Sequence, residues 1–150
     1  MNRITNYSIK LVKESSQLYE TNNLSNPKAA AEVLQSYLDG ADRENFVALS
    51  LNHKNRITSI NTISVGDVNS APVMVANVFK VAILSNASAI IIGHNHPTGD
   101  TTPSSEDIMT TQRLIKAGKL LGIPVLDHVI VGVDKQDEYF SMKERGTVYF

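Results

Sequence analysis

Apolar positions in this chain recur with period two in some stretches and at helical intervals in others, and their order predicts strands interleaved with helices. Tyr7, Ile9 and Leu11 alternate with polar neighbours, which predicts an early edge strand, and residues 21–27 are polar and turn-rich. Asn26 and Pro27 suit a cap and a first helical position, so residues 29–38 read as a helix ended by Gly40. Residues 46–51 and 57–65 read as two strands joined by a polar hairpin. Residues 73–84 are almost continuously apolar and too long for an ordinary strand, which predicts a buried helix. A short central strand at 89–93 leads directly into His94. Thr102 before Pro103 predicts the start of another helix, stopped by Gly122 and Pro124; residues 125–133 return as an apolar strand, and 139–142 with 148–150 add short terminal pieces. The alternation of elements implies an α/β fold, a sheet covered on at least one side by helices.

Composition narrows the class. The 150 residues, 42% hydrophobic and 19% charged, fit one domain spanning 1–150, with a strand and a helix in 1–41 ahead of a core of about 42–150. The chain has no Cys, which excludes a disulfide framework and a thiolate metal site. Its opening residues lack the apolar stretch of a secretory signal, and no run approaches the ~20 apolar residues that span a bilayer, so a soluble cytoplasmic protein is expected, with no membrane partner. A net charge of -1 supplies no global field to hold a polyanion, which weakens any nucleic-acid role.

The chemistry is concentrated in HNHPTGDTTPSSED, residues 94–107. His94 and His96 stand two apart, and side chains at i and i+2 of a strand point to one side, so both rings can face one ion. Pro97, Gly99 and Pro103 turn the chain and can bring Asp107 beside them as a third ligand. Two imidazoles and a carboxylate suggest a metal site, and three protein ligands with a fourth position left to water is the arrangement of catalytic zinc. Taken alone, Ser104 reads as a helix-start hydroxyl and Asp107 as a carboxylate near the positive end of a helix; their shared location makes them functional candidates.

The string His94-x-His96-Pro97, six residues, then Ser104-x-x-Asp107 resembles the JAMM motif of MPN-domain metalloproteases, and more closely the RadC-like bacterial branch. The resemblance runs from Asp42 to Phe150 and includes ENFVALSLNHKNR, NASAIIIGHNHPTGD and LDHVIVG. It implies the MPN/JAB architecture, a mixed sheet flanked by helices and similar to cytidine deaminase. It also implies a Zn2+ ion held by His94, His96 and Asp107, with Ser104 hydrogen-bonding the bound water or the developing oxyanion. An acid at the start of an early strand serves that family as general acid/base, and Glu44 occupies this place ahead of Phe46. Glu106 is nearer in sequence but points about 100° away from Asp107 on a helix, and Glu32 fits less well. Full-length RadC-like proteins carry a helix-hairpin-helix region ahead of this domain, and the expectation here is a standalone domain without it. Asn95 stands where the eukaryotic deubiquitinases usually carry Ser or Thr, so ubiquitin is a poor substrate choice.

Nearby polar residues have simpler readings. Asp127 and His128 resemble the family's residues and read as a structural pair orienting a loop. Asp100 reads as a turn former, and Arg113, Lys116 and Lys119 as a solvated helix face. The leading expectation is a zinc metallopeptidase acting on a protein or peptide substrate, through metal-activated water. A DNA-repair or DNA-processing role follows from the RadC-like resemblance alone and lacks support from charge; a scaffold is disfavoured because every expected ligand is present. The apolar surplus of the helix at 73–84 implies either burial or a face for a homodimer.

Overall fold

The computed structural model of the chain describes residues 1–66, 73–133, 135 and 137–150. Among these residues the elements in order are α1 (Pro27–Tyr37), β1 (Asn45–Leu51), β2 (Ile57–Val65), α2 (Val75–Leu84), β3 (Ala89–His96), α3 (Ser105–Leu121), β4 (Val125–Gly132) and β5 (Tyr139–Ser141). The sheet runs β2-β1-β3-β4-β5. β1 is antiparallel to β2 and β3, β3 is parallel to β4, and β5 returns antiparallel to β4. This is the expected mixed α/β architecture. Among the described residues no helix is long and apolar enough to cross a membrane.

The central strand is buried on both faces, which is why Ala89–Ile92 reads as unbroken apolar sequence rather than as an alternation. Ile90 and Ile92 face a core built with Val78 and Phe79 of α2 and Leu114 and Ile115 of α3. Ile91 faces the other core, with Ala30, Val33 and Leu34 of α1. The period-two pleat therefore assigns even-numbered positions of β3 to the α2/α3 side and odd-numbered ones to the α1 side. α1 is capped as its sequence predicts: the Asn26 side chain accepts from the Ala29 N–H, and Pro27 follows at the first helical position. Gly118 lets α3 lie close on the chain leading into β4, since a Cβ there would stand 2.5 Å from the Ile123 carbonyl oxygen.

Several expectations need correction. The early strand at Tyr7, Ile9 and Leu11 does not form; residues 1–19 carry neither helix nor strand, and those side chains are 90%, 76% and 48% exposed. Alternation describes how a segment would pair, but pairing requires a sheet edge on which to bury its apolar face. The polar stretch read as a turn meets the sheet instead: Asn23 bridges Arg56, the Ile57 N–H donates to the Asn22 carbonyl, and the Leu24 N–H donates to that of Asn55. β3 does not stop at Gly93 but continues through His96, because pairing with β4 persists to His96↔Gly132 after the apolar run has ended. α3 starts after Ser104 rather than at Thr102, and residues 148–150 add no strand.

Candidate metal centre

Continuation of β3 past Gly93 places the rings of His94 and His96 on the α2/α3 face of the sheet. α3 supplies the third group through a capping box. The Ser104 hydroxyl accepts from the Asp107 N–H at 3.1 Å, and Asp107 Oδ2 accepts from the Ser104 N–H at 2.8 Å and its hydroxyl at 2.7 Å. The carboxylate is thereby fixed with Oδ1 3.4 Å from His94 Nε2 and Oδ2 3.6 Å from His96 Nε2, while the two Nε2 atoms stand 2.9 Å apart. These three residues form a group that could hold a metal ion. His94 is wholly buried, Asp107 is 9% exposed at its side chain and His96 15%, so the site opens on the His96 side.

Hydrogen bonding assigns the protons. The Thr111 hydroxyl donates to the Asp107 carbonyl at 2.6 Å, so toward His128 Nδ1, 2.5 Å away, it accepts and that nitrogen carries the proton. His128 Nε2 then accepts from His94 Nδ1–H at 2.8 Å, which leaves His94 Nε2 as a bare lone pair. His96 Nδ1–H donates to the Asp100 carbonyl at 2.5 Å, so its Nε2 is bare in the neutral ring and donates to Asp107 when the ring is protonated. With both rings neutral, two lone pairs and a carboxylate converge, an arrangement that draws in a cation, either a proton on His96 Nε2 or a metal ion.

The electrostatics separate the two rings. Burial pushes the His94 imidazolium down to about 4, against the pull of Asp107, so this ring is neutral near pH 7. Burial likewise holds His128 well below its ordinary value, with the His94 ring adding to the effect. The hydrogen bond to Asp107 raises His96 despite its partial burial, with smaller pulls from the Asp100 carbonyl and the charges of Asp107 and Glu44. Burial would raise Asp107, but the bond with His96, the charge of His94 and the two Ser104 donors outweigh it and hold the carboxyl well below the usual range.

Glu44 lies just ahead of β1, half-buried, within electrostatic reach of His96. Glu106 is exposed on α3, and Glu32 is exposed on α1 and paired with Lys28 on the opposite side of the sheet. Asp100 is the expected turn former: its side chain accepts from the Thr102 N–H, and only its main-chain carbonyl reaches the site. Arg113 anchors its guanidinium on the Val73 carbonyl, and Lys116 and Lys119 are exposed. The pair at 127–128 divides. Asp127 is structural, accepting from the Ser141 hydroxyl and from the N–H groups of His128 and Lys143. His128 instead backs the His94 ring, with Phe46 stacked on His94 at 6.0 Å and edge-on to His128 at 5.5 Å. The sequence pointed to Asn95 only as a contrast with the deubiquitinases, and Thr111 and this role of His128 went unseen; the available signal was a polar residue embedded in an otherwise buried apolar face.

Comparison with known proteins gives one consistent result. The family model for the RadC-like JAB domain matches residues 24–147. A UPF0758 protein of Moorella thermoacetica is 49% identical over 120 residues, 80% of this chain and 51% of the relative. One of Roseiflexus castenholzii is 44% identical over 123 residues, 82% of this chain and 52% of the relative, and one of Chloroflexus aggregans 41% over 131 residues, 87% and 56%. The chain spans about half the length of the curated relatives it matches.

Proposed function

The chain belongs to the RadC-like JAB domain family, and from that premise we propose that it is a zinc-dependent hydrolase cleaving a peptide or isopeptide bond in a protein or peptide substrate. The observation that carries this reading is the convergence of His94 Nε2, His96 Nε2 and the Asp107 carboxylate, two imidazole nitrogens and an acidic oxygen pair, beside a separate acid. Ligand atoms 2.0–2.1 Å from a tetrahedral zinc lie about 3.3 Å from one another; here the two Nε2 atoms stand 2.9 Å apart, and each faces one Asp107 oxygen, Oδ1 at 3.4 Å from His94 and Oδ2 at 3.6 Å from His96. The donor set therefore fits zinc, with the open side next to His96 left for water. Bound zinc would lower the pKa of that water to about 7 and polarise the substrate carbonyl.

The protein's own groups supply the rest. Glu44 takes the proton from water as its oxygen bonds to the carbonyl carbon, then delivers it to the nitrogen as the carbon–nitrogen bond breaks. Ser104 turns its hydroxyl from Asp107 to the oxygen that becomes negative. His94, backed by His128, stays neutral and keeps its lone pair directed at the site. The test is metal content by elemental mass spectrometry together with a screen of peptide and isopeptide substrates. About one zinc per chain is expected in the wild type and in Glu44→Gln and none in His96→Ala, with full turnover in the wild type and only a residual rate in Glu44→Gln. Zinc-loaded wild type without hydrolysis of any such bond, or Glu44→Gln with undiminished turnover, would overturn the proposal.

A further inference from the structure

Asn95 lies between the two histidines of β3, and the pleat sends its side chain to the face opposite theirs. It is fully buried. A buried carboxamide must hydrogen-bond, and this one bonds to a segment fifty residues earlier in the chain. Its Oδ1 accepts from the Asn45 N–H at 2.8 Å, and its Nδ2 donates to the Arg43 carbonyl at 2.9 Å. These two main-chain groups flank Glu44.

The sheet explains why the contact falls there. β1 and β3 are paired as far as Phe46↔His94. One residue further, the Asn95 carboxamide takes the place of a partner peptide, accepting from one main-chain group and donating to the next but one. From the other side the Gly66 N–H donates to the Glu44 carbonyl at 3.0 Å. Continued two residues along each strand, the antiparallel register sets Glu44 opposite His96 on the face that carries both imidazoles. The residue between the ligands therefore grips the peptides on either side of the acid, and one short piece of β3 carries the metal ligands and the fastening of the acid together.

We propose that Asn95 is the positioning residue for Glu44, holding the acid's backbone so that its carboxylate stands over the ligand set. The inference rests on the hydrolase reading for its catalytic meaning, but the placement can be measured without a substrate. The spectroscopic test uses zinc-loaded protein labelled with 13C at glutamate, with the Glu44 carboxyl signal assigned through Glu44→Gln. In the wild type, zinc loading shifts that signal. In Asn95→Ala the shift falls to less than about half while zinc remains at about one per chain, and exchange of the Asn45 amide accelerates about tenfold or more. Asn95→Asp keeps the acceptor for Asn45 and loses the donor to Arg43, so it gives an intermediate result; it also carries the test if the alanine variant fails to fold.

A substrate, once found, adds a kinetic arm. Asn95→Ala lowers kcat about 10-fold or more in the wild type and leaves the residual rate of Glu44→Gln unchanged, because the two residues act as one unit. An Asn95→Ala protein with an undiminished zinc-induced shift and an unchanged Asn45 exchange rate overturns the proposal, as does a wild type whose Glu44 signal ignores zinc. A wild type that shows the zinc-induced shift yet hydrolyses nothing overturns the hydrolase reading and leaves the positioning role standing.

Discussion

His128 touches no atom that would meet substrate, yet it decides which nitrogen of His94 is free. The chain of bonds from Asp107 through Thr111 and His128 to His94 links one expected ligand to another, so a break anywhere in it loosens both. His128→Ala is therefore expected to weaken zinc binding by about 10- to 100-fold, read by competition with a chelator; unchanged affinity would show that Phe46 packing alone orients the ring. Ser104 has two duties. Ser104→Ala removes the helix cap, costing about 1 kcal/mol in a urea titration, and removes the proposed oxyanion donor, lowering turnover about 10² to 10³-fold with zinc retained. Loss of zinc instead would show that its chief task is to hold the Asp107 carboxylate. The grouping of His94, His96 and Asp107 was legible because period two and the turn residues of 97–103 suffice to align them. The supporting residues were not, since Asn95 finds its partners at 43 and 45 and Thr111 meets His128 only after α3 has packed on the sheet.

Elements were legible where a local signal coincides with the packing, and misread where it does not. α1 has its Asn cap and proline, and α3 ends on Gly122 in the left-handed conformation, as their sequences predict. The start of α3 was misplaced because Thr102-Pro103 satisfies the rule for a helix start as well as Ser104 does; only Ser104 forms the reciprocal bonds with Asp107. The end of β3 was misplaced because hydrophobicity stops at Gly93 while the ladder does not. The contact of α3 with the chain before β4 gives a test at this scale. Gly118→Ala would press a methyl against the Ile123 carbonyl, main chain that cannot rotate away, and should destabilise the fold by about 1–3 kcal/mol. A thermal midpoint equal to wild type would show that α3 can shift without loss.

At the scale of the molecule, the polar groups of the site make stability depend on pH in the metal-free protein. His94 and His128 are held neutral by burial, so the unfolded chain takes up their protons first as pH falls. Their contribution is fully present above about 6.5 and is lost on acidification toward the folded value, which is about 4 for His94. Asp107, with its carboxyl depressed, loses its contribution in the same direction below the ordinary carboxylate range. His96 is raised and works oppositely, contributing below 6.5 and losing that contribution as pH rises through its folded value. Two buried rings outweigh one half-buried ring, and His94 alone is worth on the order of 3 kcal/mol across its shift. Chelated protein should therefore show a urea midpoint that falls between pH 7 and pH 4; a flat profile would contradict the burial of these rings.

The exposure gradient across the three candidate ligands has a kinetic counterpart. His94 sits at the blind end of the site and His96 at its mouth, so under the proposed function an arriving ion would pass His96 before it reached His94, and a departing one would pass it again. Residence time and affinity are thereby separable: a change at the surface around His96 alters how quickly the ion comes and goes, whereas a change behind His94 alters how firmly it is held.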